Sequence, residues 1–178
     1  KKAVAAATES VYVFSPFITT MADRVFLFDG QCNKRTTADC HIYTRFEQEL
    51  FITQRLSHGP ASSIDALKRL SDANVKIYHV PNLHAKVLVI PTQFASVGSQ
   101  NLTVGGAKQR EASLVTTDLA EVRNVYKAVQ EWTELAEPIS NETIEKMVNV
   151  VRALAPALRV RKREFKALKE RLASLDAK

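Results

Sequence analysis

Five polar residues between positions 84 and 111 could form one site that binds and cleaves a phosphate ester. They are His84, Lys86, Ser99, Asn101 and Glu111. A lysine ammonium and an asparagine amide can both hydrogen-bond the oxygens of a phosphoryl group. The imidazole of His84 can attack phosphorus or donate a proton, and a carboxylate such as Glu111 can fix its tautomer. The stretch holds no cluster of Asp and Glu suited to a hard metal ion, which disfavours a two-metal mechanism.

Two short apolar segments lie between these residues and must position them. Residues 87–90 read VLVI and residues 94–98 read FASVG, which is typical of adjacent buried strands. If the two strands pair, the polar residues at their ends converge at one edge of a sheet.

The rest of the chain alternates strand and helix patterns, which predicts an α/β sandwich of five or six strands. Further strands are predicted at 11–17, 40–46, 75–80 and 111–117, and helices at 47–56, 63–73, 119–137, 141–155 and 157–175. Residues 18–39 show no clear pattern beyond an apolar piece at 24–28.

Helix boundaries are predicted from capping residues and prolines. Ser62 with Asp65, and Asp118 with Glu121, have the spacing of capping boxes. Asn74 suits the turn after the helix at 63–73.

Pro138 is expected to close the catalytic unit, and Pro156 to separate two C-terminal helices. The chain is therefore divided into a domain over 1–137 and a C-terminal helical extension over 138–178.

The net charge of +6 comes from the C-terminal residues. Residues 1–150 hold 16 basic and 16 acidic residues, whereas residues 151–178 hold nine basic and three acidic ones, a difference of +6. This amphipathic, basic segment could contact nucleic acid, pack on a partner or a second copy, or be a solvated helix face. The sequence leaves these alternatives open.

The remaining composition favours a cytoplasmic protein. Two cysteines, Cys32 and Cys40, do not make a disulfide scaffold, so reduced thiols are expected. Together with His41 they fit no common zinc spacing.

No apolar run approaches the roughly 20 residues of a membrane span, and the sequence does not start with a signal-peptide pattern. We expect no cofactor and no stable membrane association. Residue 1 is Lys, so the chain could be a piece of a longer one.

The stretch closely resembles the phospholipase D superfamily, whose signature is H-x-K-x4-D followed by G-S-x-N. The match is carried by His84, Lys86 and the run GSQN at 98–101, and Glu111 stands where nuclease-type members carry a supporting carboxylate. The resemblance covers about residues 3–135 and implies a central mixed sheet flanked by helices. One departure is Pro91, which occupies the position of the signature Asp. This departure puts phospholipase activity in more doubt than nuclease activity.

The resemblance also implies a mechanism. The superfamily uses two histidines, and single-motif members obtain the second by forming a homodimer with a shared site. His84 of one subunit would form a phosphohistidine, while His84 of the other would act as acid and then as base. Lys86 and Asn101 would hold the phosphate, Ser99 would orient it through its hydroxyl, and Glu111 would hold a histidine, with no metal.

The resemblance thus implies a metal-independent phosphodiesterase, and we expect a nuclease that acts on DNA in preference to RNA. Such a nuclease could be the effector of a restriction or defence system and could work with a partner protein such as an ATPase. Two alternatives stay open. One is a phospholipase or phosphatidyl transferase, and the other is a catalytically idle scaffold that assembles through its C-terminal helices.

Overall fold

A computed structural model describes residues 1–27, 34–47, 51, 62–104 and 110–175. Its strands are β1 (Val11–Phe14), β2 (Cys40–Thr44), β3 (Lys76–His79), β4 (Val87–Ile90), β5 (Phe94–Gly98), β6 (Ser113–Thr116) and β7 (Glu137–Pro138). Its helices are α1 (Lys2–Ala5), α2 (Thr20–Phe26), α3 (Ile64–Asp72), α4 (Leu119–Glu134) and α5 (Asn141–Leu175). Among the described residues, the strands form one mixed sheet in the order β6-β5-β4-β1-β2-β3-β7.

The strand directions bring the candidate residues to one edge of this sheet. β1, β2 and β3 are parallel, and β4 is antiparallel to β1. β5 and β6 continue the antiparallel order, and β7 pairs antiparallel with β3. The edge at which β1 and β5 end and β4 and β6 begin is called the site edge below.

Helices cover both faces of the sheet, because successive side chains of each strand point to opposite faces. On one face, Val11 and Val13 of β1 belong to a core that also contains Leu67 of α3 and Ile144 of α5. We call this the α3 face. On the other, the α4 face, Phe14 packs in a core with residues of β4, β5 and α4. The predicted α/β class with a mixed sheet and flanking helices is confirmed.

All six strands predicted from the sequence are present in the described residues, and the seventh, β7, was not expected. Helix α2 was also missed, because residues 18–39 gave no clear pattern. Its start is capped by Thr19, whose hydroxyl accepts a hydrogen bond from the Met21 amide at 3.5 Å. The helix predicted at 47–56 lies outside the described residues except for its first residue and Phe51, which is helical.

The two predicted caps had different outcomes. Ser62 does not cap α3: Ser63 does, since its hydroxyl accepts from the Ala66 amide at 3.3 Å. Ser62 instead accepts from the Ile18 amide at 3.2 Å, so it joins two distant segments. Asp118 caps α4 as predicted, accepting from the amides of Ala120 and Glu121.

Neither Pro138 nor Pro156 ends a secondary-structure element in the way that the sequence predicted. Pro138 lies within β7, opposite Tyr78 of β3, and so it extends the sheet at its outer edge, where a missing amide donor is tolerated. Pro156 lies inside the 35-residue helix α5 rather than between two helices. A proline there costs about 3 kcal/mol, which tertiary packing of the preceding turns can offset.

Those preceding turns belong to the main core. Ile144, Met147, Val148 and Val151 of α5 are buried on the α3 face. The boundary at 137/138 therefore falls inside β7, and the division into a domain and an extension stays a prediction.

Candidate active site

The pairing of β4 with β5 sets the spacing of the site. Val87 is opposite Val97, and the Gly98 amide donates to the Lys86 carbonyl at 3.1 Å. Glycine is required at position 98 by the close approach of β6. A Cβ on Gly98 would lie 2.6 Å from the carbonyl oxygen of Ala112 and against the Ser113 side chain. The motif glycine thus lets three chain segments meet at the site edge.

His84 and Lys86 touch each other just before β4. The Lys86 Nζ lies 3.4 Å from Nδ1 and 3.4 Å from Nε2 of His84, and it donates to the His84 carbonyl oxygen at 2.6 Å. His84 is exposed and Lys86 is half-buried. The solvent-exposed His84 ring and the Lys86 ammonium, which the His84 carbonyl holds beside it, can both contact an incoming phosphate.

Ser99 and Glu111 form a second pair across the ends of β5 and β6. The Ser99 hydroxyl donates to Oε2 of Glu111 and accepts from the Ala112 amide at 3.2 Å. The Ser99 amide donates to the Ala112 carbonyl at 3.0 Å. Within one chain, therefore, Glu111 is engaged with Ser99 and not with His84, the partner that the sequence suggested for it.

Asn101 and Lys86 both line one cavity of about 250 Å³. The Oδ1 atom of Asn101 is buried and has no hydrogen-bond partner among the described residues. The cavity opens on the α3 face of the sheet, and most of its wall is apolar, with Val13, Met21 and Phe94 among its lining. The amide and the ammonium thus share a space in which phosphate oxygens could be held.

Ser15, at the end of β1, is a structural partner of the site that the motif does not include. It is 2% exposed, and its hydroxyl donates to the Phe17 carbonyl at 2.9 Å. It also accepts from the amide of Leu102, the residue after Asn101, at 3.0 Å. A small polar residue at the end of a buried strand is the sequence signal that could have identified this role.

The other described histidines lie away from the site. The His41 ring is stacked on Tyr12 at 5.0 Å and on Tyr78 at 5.9 Å, and burial, followed by the charge of Lys76, lowers the pKa of His41. Nδ1 of His79 accepts from the Phe46 amide at 3.0 Å. His58 lies outside the described residues.

Neither a metal cluster nor a membrane helix is found in the described ranges. No group of three or more His, Cys, Asp and Glu side chains there could hold a metal ion. Cys40 is buried, and burial raises the pKa of its thiol to about 11. Cys32, its partner in the zinc alternative, lies outside the described residues. None of the helices in the described part of the chain has both the length and the apolar character needed to cross a membrane.

Comparison with known proteins finds the same fold in solved structures. Two solved structures share the fold: a phospholipase D family member, Nuc from Salmonella typhimurium, and NucT from Helicobacter pylori. Both are 18% identical and align with 78% of this chain. Nuc aligns over 86% of its length with a TM-score of 0.50, and NucT over 87% with a TM-score of 0.52. No curated protein matches the chain by sequence.

A protein-family model covers most of the chain. The model described as "Cardiolipin synthase, PLD-like domain" matches residues 2–134, which include β1 to β6, α4 and the whole candidate site. The chain therefore belongs to the phospholipase D-like family.

Proposed function

We propose that the protein is a metal-independent phosphodiesterase that cleaves DNA at a site shared by two copies of the chain. One observation carries the proposal: Lys86 contacts the His84 ring and shares a cavity wall with Asn101 at the site edge. A nucleophile, a cation and an amide donor thereby lie at the same edge of the sheet, and the proposal is that one phosphate contacts all three.

In the first step, a ring nitrogen of His84 attacks phosphorus and forms a P–N bond. The P–O bond to the leaving strand breaks on the opposite side of phosphorus, because attack and departure are in line. Lys86 and Asn101 stabilise the charge on the non-bridging oxygens. One imidazole cannot reach both sides of phosphorus, so the leaving oxygen takes its proton from His84 of the second copy.

In the second step, His84 of the second copy removes a proton from water. The resulting hydroxide attacks phosphorus and breaks the P–N bond, which releases a phosphomonoester end and restores the nucleophile. The Ser99–Glu111 pair holds the start of β6 against the end of β5 and so fixes the segment that carries Asn101.

An open site and a basic helix support a polymeric anion as substrate. His84, Ser99, Gln100 and Arg110 are exposed around the site. The described side chains of α5 beyond its core-packed turns include several exposed cations, namely Arg152, Arg159, Arg163 and Lys166. Contacts from such residues to phosphates are independent of sequence and sensitive to salt.

A nuclease that binds phosphates without reading bases needs another component to direct it. We therefore extend the proposal to the effector of a restriction or defence system, with direction supplied by a partner protein such as an ATPase.

The test uses plasmid, single-stranded DNA, single-stranded RNA and a chromogenic phosphodiester, each in EDTA. Wild type should cleave DNA, and His84→Ala should reduce the rate by at least about 1,000-fold, because it removes the nucleophile and the acid together. His79→Ala, which changes the other described histidine near the site edge, should retain the rate. Loss of all cleavage in EDTA, or an active His84→Ala variant, would contradict the proposal.

Mixed dimers test whether the site is shared. After subunit exchange, an equal mixture of wild type and His84→Ala should show about one quarter of the activity of the same total wild-type concentration, since only dimers with two histidines turn over. Independent sites would instead give about one half.

A second candidate is a phospholipase or phosphatidyl transferase, favoured by the largely apolar wall of the cavity beside Lys86 and Asn101. Release of headgroup from phospholipid vesicles, with no cleavage of any nucleic acid, would support this candidate. Inactivity on every substrate together with stable assembly would instead indicate a scaffold.

A further inference from the structure

The cavity that Lys86 and Asn101 line extends well beyond the space that a phosphate needs. One end of it lies at the site edge, where these two residues are. Its lining then follows the α3 face of the sheet to Phe94, four residues before Gly98 on β5 and hence roughly 13 Å from the site edge at about 3.3 Å per residue. A phosphate held by Lys86 and Asn101 therefore occupies one end of a volume of about 250 Å³ and leaves the rest of it unfilled.

The floor of the cavity is a row of side chains on three neighbouring strands. Val13 of β1 is opposite Leu88 of β4, and Leu88 is opposite Ser96 of β5. All three residues line the cavity, and Val13 places the row on the α3 face. Leu88 is two residues after Lys86, so the row lies roughly 7 Å from Lys86 along β4 at about 3.3 Å per residue. The floor thus begins one group away from the proposed phosphate position.

The wall opposite this floor is apolar as well. It consists of side chains from the first two helices, namely Ala3 and Val4 of α1 and Met21 and Val25 of α2. Among the described residues that line the cavity, only Lys1 and Lys86 carry a charge. A cavity between an apolar floor and an apolar wall favours an uncharged group with large apolar faces.

We propose that this cavity is a subsite for one nucleobase of the substrate, the base adjacent to the phosphate that Lys86 and Asn101 hold. The inference rests on the proposed phosphodiesterase function. It adds to that function a second binding position, at which a group other than the phosphate is recognised.

The base is the part of a nucleic-acid strand whose chemistry matches the cavity. A second phosphate would lose its hydration in an uncharged space, whereas a base has apolar faces that gain from burial. One sugar joins the base to the phosphate, which suits a floor that begins close to Lys86. Val13 and Leu88 would contact the face of the ring, which all four bases share. The subsite therefore senses the presence of a base more than its identity.

The test removes one base at a time from a single-stranded substrate, because a base enters such a cavity only after it leaves its own stack and pair. End-labelled DNA oligonucleotides carry one abasic residue at successive positions, and the products of cleavage in EDTA are resolved bond by bond. With wild type, the bond on one side of the abasic residue should be cleaved about 10- to 100-fold more slowly than the same bond in the intact strand. The distant bonds of each strand serve as internal controls.

Ser96→Phe fills the cavity from its floor and should slow cleavage of the intact strand to the rate of the abasic bond. Removing the base should then have no further effect. Val115→Phe is the matched control, since Val115 is opposite Ser96 on β6, is 55% exposed and lies outside the lining of the cavity. This control should keep the wild-type pattern. If thermal unfolding shows that Ser96→Phe is not folded at the assay temperature, Met21→Trp fills the cavity from α2 instead.

The outcomes separate the subsite from the function. Equal cleavage by wild type beside a normal and an abasic residue would overturn the subsite while leaving the phosphodiesterase proposal standing. A full effect of base removal in folded Ser96→Phe and Met21→Trp would also overturn it. So would a loss of headgroup release from phospholipid vesicles in Ser96→Phe without any effect of base removal, because the cavity would then hold a lipid chain. If wild type cleaves no phosphodiester at all, the proposed function fails, and the subsite with it.

Discussion

Ser15 offers a test of how the fold positions the residues of the site. Its buried hydroxyl donates to the Phe17 carbonyl at 2.9 Å and accepts from the Leu102 amide at 3.0 Å. Leu102 follows Asn101 directly and is otherwise held by Thr19, whose amide donates to the Leu102 carbonyl at 3.1 Å. Ser15→Ala would therefore remove the anchor that Ser15 supplies but leave the segment attached through Thr19, which also accepts from the Val104 amide.

The size of the effect follows from the two bonds lost. Both partners, the Phe17 carbonyl and the Leu102 amide, belong to half-buried residues, so we expect a loss of about 1–3 kcal/mol in the free energy of unfolding. A domain with about 5–15 kcal/mol of stability stays folded after such a loss. Displacement of Asn101 should lower kcat by about 10- to 100-fold, since catalysis is sensitive to shifts of about 1 Å.

Thr36→Val is the matched control. The Thr36 hydroxyl also donates to one carbonyl, that of Ala7 at 3.2 Å, and accepts from one amide, that of Ala38 at 3.1 Å. It is 8% exposed and lies before β2, at the edge of the sheet opposite the site. The assays are urea unfolding and DNA cleavage at a temperature at which both variants are folded.

Two results would refute the reasoning. If Ser15→Ala and Thr36→Val lose the same stability and Ser15→Ala keeps the wild-type kcat, the anchor does not position Asn101. Equal losses of kcat in both variants would show that activity follows stability rather than the geometry of the site.

Two other predictions concern the sheet. Gly98→Ala should destabilise the fold by about 1–3 kcal/mol and reduce cleavage, because the new Cβ meets the Ala112 carbonyl. Adding Ser113→Gly should not restore the stability to urea, since the backbone clash with Ala112 remains. Full rescue by Ser113→Gly would contradict this account. Because the fold lowers the pKa of His41, the unfolded chain binds more protons than the folded chain just below the ordinary pKa of 6.5. This part of the stability therefore falls as the pH drops through 6.5 towards the lower pKa of the folded state, and then levels off. Urea unfolding at about pH 5 and about pH 8 should show a smaller difference for His41→Phe than for wild type, and equal differences would contradict the assignment.

The strands could be predicted from the sequence because each is rich in apolar, β-branched or aromatic residues between turn residues, and in β1 and β4 these residues run without interruption. Asn74, in the turn after α3, has a φ of 58°, which agrees with the prediction for that position. The features that were missed depend on tertiary context. Pro138 reads as a breaker in isolation but joins the sheet because it lies at the outer edge of β3. Pro156 reads as a helix end, yet the preceding turns are held by core packing.

The site shows the same division. The sequence placed His84, Lys86 and Asn101 at strand ends, and pairing of β4 with β5 brings these ends to one edge of the sheet. There Lys86 contacts His84 and lines the same cavity as Asn101. The bond between Ser99 and Glu111 depends on the register of β5 with β6, which no local pattern specifies. The contribution of Ser15 depends on a contact across 87 positions of sequence, and the motif carries no signal for it.

The register of β4 also bears on the departure at Pro91. β4 begins after Lys86 at the site edge and ends at Ile90, so Pro91 lies at the opposite edge of the sheet. Seven extended residues from His84 span roughly 23 Å, and Pro91 lines a different cavity, with Glu9 and Asp39. A side chain at position 91 therefore does not reach a phosphate held by His84 and Lys86. Its replacement by proline alters the end of a strand at the edge of the sheet opposite His84 and Lys86.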